Sequence, residues 1–95
     1  MITELLIGSD RVPVQYLALD GDAGRCDDNP RLTISVRESD AAWLQASTIL
    51  HEALHAIDMR CNLQLTEQQV QALEPALRDL IRQNPQLIDA LRSTP

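Results

Sequence analysis

Phenylalanine is absent from this chain of 95 residues, and Tyr16 and Trp43 are its only other large aromatics. Leu, Ile, Val and Ala must therefore fill the core, and the length bounds it to one small domain, 1–95. Cations are scarce as well. Eight Lys and Arg stand against fourteen Asp and Glu, a net charge of −6, which leaves no basic footprint for a phosphate backbone and excludes nucleic acid as a direct partner. No apolar run approaches the roughly 20 residues of a membrane span, and residues 1–10 lack a basic segment leading into an apolar one. A cytoplasmic protein with no membrane partner is expected. The two cysteines, Cys26 and Cys61, form no C-x-x-C unit, which argues against a zinc ribbon or a thioredoxin-like site and makes free thiols the expectation in a reducing compartment.

What is present is concentrated in one stretch. The chain's only two histidines, His51 and His55, lie in a His-Glu-x-x-His element within residues 48–57. On a helix, residues four apart share a face, so two imidazoles can reach one zinc ion at about 2.0–2.1 Å. Glu52 falls about 100° around the helix from His51, where its carboxylate can flank the metal and take a proton from bound water. The surroundings agree with the motif, since Ile49, Ala53, Leu54, Ala56 and Ile57 are uncharged. The bland alternative is a buried amphipathic helix whose histidines are merely hydrogen-bonded or solvated.

Along the chain, 2–7 reads as a short strand, Gly8-Ser9-Asp10 as a turn, and 12–19 as a second strand in which Pro13 marks a start or an edge. Residues 20–24 form a loop without EF-hand spacing. Arg25-Cys26-Asp27 and 32–36 predict a hairpin, with Leu32, Ile34 and Val36 inward, Thr33 and Ser35 outward, and the second strand suited to an exposed sheet edge that could accept a peptide. Ser39 and Asp40 are both competent caps for the motif helix, whose core stripe reads as Trp43, Leu50, Leu54, Ile57 and Cys61 and which Asn62 stops. Thr66 and Gln69 make a capping box, opening a helix with Val70, Leu73, Leu77 and Leu80 on its buried face and a kink or break at Pro75. Asn84-Pro85 opens a last short helix with Leu87, Ile88 and Leu91, and 93–95 is tail.

A catalytic zinc needs a third protein ligand. Glu67, at the first turn of the next helix and twelve residues after His55, is the choice; its alternative is an acidic residue complementing the helix dipole. Asp58 shares the motif helix, where three ligands would span too great a length, so it suits a supporting bond to an imidazole, a backbone or a cation. Cys26 could approach from the hairpin. Cys61 is expected to pack, and Glu74 to be solvated.

Three segments carry a resemblance: Leu50-His51-Glu52-Ala53-Leu54-His55-Ala56-Ile57-Asp58, Leu63-Gln64-Leu65-Thr66-Glu67-Gln68-Gln69-Val70, and Asn84-Pro85-Gln86-Leu87. They resemble the small zincin-like proteins of phage and prophage genomes, distant relatives of the ImmA/IrrE-like and SprT-like metallopeptidases. Gly24-Arg25-Cys26-Asp27 and Leu32-Thr33-Ile34 fit more loosely, and Pro75 departs from the pattern. The resemblance implies an α+β fold in which a small antiparallel sheet of three to four strands packs on the motif helix and one or two C-terminal helices, with Glu67 as the glutamate ligand. The resemblance supports a bound metal more than proteolysis; from the residues themselves, the expectation is a metallopeptidase acting on a protein or peptide, with one zinc held by His51, His55 and Glu67, Glu52 as general base and the strand 32–36 holding the substrate. Tyr16 is the only phenol, so the oxyanion donor is left to the backbone or an arginine. A non-catalytic, metal-stabilised module binding a host or phage protein is the alternative from another class.

Overall fold

Gly8, at φ 60°, opens a two-residue turn with Ser9 that pairs β1 (Glu4–Ile7) antiparallel with β2 (Asp10–Leu17). Glycine is the residue that meets a positive φ at the first position of such a hairpin without strain. In the computed structural model, which describes residues 1–93, β3 (Gly24–Asp27) and β4 (Thr33–Arg37) form the expected antiparallel hairpin. The expected tail lies outside the described residues beyond Ser93. The class is α+β, and the sheet order is β1-β2-β4-β3 with β2 and β4 parallel, so the sheet is mixed and not wholly antiparallel.

Two strand expectations change with that order. Pro13 belongs to an interior strand. The β1 ladder ends at Pro13 and the β4 ladder begins at Val14, whose N–H donates to Thr3 O at 2.9 Å. Antiparallel alternation then turns the missing Pro13 N–H away from β1, toward a side where β4 pairing has not begun. The free edge next to the helices is β3, because β4 lies between β2 and β3. Ser35 lies on the far face as expected but is buried, flanked in register by Gln15, whose Nε2 donates to Ser35 Oγ at 3.0 Å, and by Arg25.

Val12, Val14, Ile34 and Val36 fill one face of the sheet and meet Ile49 of α1 (Ala42–Cys61). Each such aliphatic burial stabilises by roughly 1.5–3 kcal/mol. α1 rests on the sheet, α2 (Glu67–Gln83) on α1, and α3 (Pro85–Arg92) on α2. The α1 core face is consequently Ile49, Glu52, Ala53 and Ala56, with Leu54 buried beside it; Trp43, Ile57 and Cys61 of the expected stripe are exposed. Small residues let the helix approach the sheet closely. Its cap is Ala41, not Ser39 or Asp40, and the Asp40 carboxylate is engaged by Arg37 Nε at 3.0 Å.

α2 is continuous through Pro75. Because it packs mainly against α1, only a narrow line is buried, Val70 and Glu74, while Leu73 and Leu80 are exposed. Both cysteines are free thiols. Among the described residues, no helix is long and apolar enough to cross a membrane.

Candidate metal centre

The link between α1 and α2 decides where Glu67 falls. Asn62 stops α1 in the left-handed region at φ 52°, and its backbone N–H donates to Asp58 O. The Asp58 side chain then accepts from Leu65 N at 3.2 Å, pinning the connector. Of the supporting roles open to Asp58, the bond to a backbone is the one formed. The capping box closes next: Thr66 Oγ1 accepts from Gln69 N at 3.1 Å, and Gln69 Oε1 accepts from Thr66 N at 2.9 Å. Glu67, the first residue of α2, is thereby turned back over α1.

Its carboxylate meets both imidazoles. His51 Nε2 lies 2.9 Å from Glu67 Oε1, and His55 Nε2 lies 2.8 Å from Oε2. The two rings stand edge to face with centroids 5.0 Å apart. One donor atom from each of the three residues falls within 4.8 Å of the other two. Two imidazole nitrogens and one carboxylate oxygen converging in this way match the donor types of a three-ligand zinc site. Cys26 and Asp58 are not members of this group.

Glu52 lines the same cavity and is 8% exposed. Burial pushes its carboxyl above the ordinary carboxylate range; the two imidazoles pull it back, and Glu67 and Asp22 push it further up. A carboxyl poised in this way can both accept and return a proton.

The opposite wall is the start of β3. A Cβ on Gly24 would lie 2.4 Å from Thr48 Cγ2, 3.0 Å from Ser35 O and 3.3 Å from Glu52 Cγ, so only glycine lets the strand sit this close to α1. Ala23 O accepts from Arg37 N at 2.8 Å. Antiparallel alternation then directs the Gly24 and Cys26 backbone groups off the free edge. Cys26 itself is half-buried, and burial first, with the Glu52, Asp27 and Asp28 charges, pushes its thiol up to about 11.

Glu74 departs from expectation. It is 7% exposed and lines the cavity, accepting from Ser47 Oγ at 2.7 Å, with Arg78 Nε 3.3 Å from its other oxygen. The available signal was spacing: Glu74 follows Glu67 by two helical turns, and Ser47 precedes His51 by one. Gln71, one turn after Glu67, also faces the cavity, whose volume is about 550 Å³. Tyr16 does not line it; its hydroxyl donates to Ile2 O at 2.7 Å.

In comparisons with known proteins, no family model matches the chain, and neither a curated protein nor a solved structure matches it.

Proposed function

We propose that the chain is a zinc-dependent peptide hydrolase of the minimal phage-type zincin kind that residues 48–87 resemble. One feature supports this reading above the others: two imidazoles and a single carboxylate, Glu67, converge beside the buried Glu52 in an open cavity. His51, His55 and Glu67 would hold one zinc ion. Zinc in such a site polarises a peptide carbonyl and lowers the pKa of a bound water toward about 7. Glu52 takes the proton of the attacking water and delivers it to the leaving amine, a double duty suited to a carboxyl pushed upward by burial. The substrate backbone pairs with the free edge of β3 through the outward groups of Gly24 and Cys26, in place of the interior strand β4. Gln71 donates its side-chain amide to the developing oxyanion; it lines the cavity and spends no hydrogen bond elsewhere among the described residues.

A non-catalytic reading has one observation in its favour. α2 buries only Val70 and Glu74, so a metal tying Glu67 to His51 and His55 would fasten it to α1 and add binding free energy to folding. The substitution Glu52→Gln separates the two. The hydrolase reading predicts retained zinc and a rate of peptide hydrolysis lowered on the order of 10²–10⁴-fold. Undiminished hydrolysis at unchanged zinc content would overturn it, and a captured protein partner that withstands the substitution would favour the binding module.

A further inference from the structure

Beyond the metal cavity, the groove between α1 and α2 continues into a second cavity of about 620 Å³. Ser47 lines both. Trp43, Ser47 and His51 are spaced four apart on one face of α1, and Glu67, Glu74, Arg78 and Arg82 follow one another along the facing side of α2. The second cavity has an apolar lining of Trp43, Leu50 and Ile81, with Trp43 68% exposed and Ile81 44% exposed.

Its charge is opposite to that of the metal end. Asp22, Glu52 and Glu67 line the metal cavity and disfavour an anionic residue there. At the far end Arg78 is neutralised by Glu74, whereas the Arg82 side chain has no hydrogen bond or ion pair among the described residues. In a chain of net charge −6, an unpaired cation beside an exposed tryptophan is complementary to an apolar segment carrying one carboxylate.

Distance sets where that segment lies. At 1.5 Å per helical residue, Trp43 is about 12 Å along α1 from His51, the span of three to four extended residues at roughly 3.3 Å each. We propose that this groove binds the flank of the peptide substrate: a large apolar side chain enters between Trp43, Leu50 and Ile81, and an adjacent acidic residue pairs with Arg82. The proposal rests on the hydrolase reading for the peptide's path, but its binding step can be measured without turnover.

Trp43 is the only tryptophan, so its emission reports occupancy. The probes are acetylated, amidated alanine-based octapeptides containing a leucine–aspartate, leucine–lysine or alanine–aspartate pair, titrated into the zinc-loaded full chain carrying Glu52→Gln so that they stay intact. The leucine–aspartate peptide is expected to shift the emission to the blue and to saturate, with affinity at least tenfold above the other two. Arg82→Glu, at an exposed position, should reverse the preference toward leucine–lysine, while circular dichroism verifies the fold. Equal affinities, or no saturable change, would overturn the groove assignment. Wild-type hydrolysis blind to the leucine–aspartate pair would also reject the groove while leaving the hydrolase reading in place. The expected binding pattern without wild-type hydrolysis would uphold the groove and reject the hydrolase.

Discussion

A β-carbon on Gly24 would stand 2.4 Å from Thr48 Cγ2, so β3 approaches α1 this closely, beside the cavity of His51 and His55, because residue 24 has no side chain. Neither neighbour can yield cheaply: Thr48 is buried, and Ser35 O, 3.0 Å away, belongs to an interior strand. Gly24→Ala is expected to destabilise the fold by about 1–3 kcal/mol through overpacking, read as a lower denaturant midpoint at unchanged slope. A midpoint equal to wild type would mean that β3 does not approach α1 so closely.

The buried contact between Ser47 and Glu74 predicts a second stability effect. Ser47→Ala removes the 2.7 Å hydrogen bond and leaves a carboxylate oxygen buried without that donor, costing about 1–3 kcal/mol in the same denaturation experiment. Glu74→Gln, which keeps an acceptor for Ser47, should cost less unless Arg78 depends on the negative charge.

Asp58 acts on Glu67 through the backbone. Losing its bond to Leu65 N should loosen the connector, so Asp58→Ala is expected to weaken zinc binding by about tenfold, within the range found for residues that orient ligands. Competition with a chromophoric chelator measures this. Unchanged zinc affinity would show that the capping box alone positions Glu67.

The two thiols should differ in reactivity. Cys61 is exposed, whereas Cys26 is half-buried with its thiol pushed up to about 11. At pH 8, iodoacetamide should label Cys61 and spare Cys26, as peptide mass spectrometry would record. The sign of the linked stability follows. Folded Cys26 holds its proton longer than an unfolded thiol, so its contribution is intact below about pH 8.5 and is lost as pH rises toward 11. Cys26→Ala should therefore lose less stability than wild type between pH 8 and 10.5.

Features resting on local chemistry were legible in the sequence: the stop at Asn62, the Thr66–Gln69 box, the paired histidines and the short return that carries Glu67 to them. Features resting on which elements become neighbours were not. The parallel β2–β4 pair puts Pro13 inside the sheet, and the layering of sheet, α1 and α2 exposes Trp43 and Leu73 while burying Glu74. Periodicity marks an apolar face without naming what covers it, so Trp43 read as core and proved to line a groove.

The most direct test is metal content by inductively coupled plasma mass spectrometry on purified wild type and Glu67→Ala in parallel. With His51 and His55 meeting both oxygens of Glu67, wild type should retain about one zinc per chain, and the variant, left with two of three ligands, should retain much less. No zinc in wild type, even after it is added back, or equal zinc in both proteins, would contradict the three-residue centre.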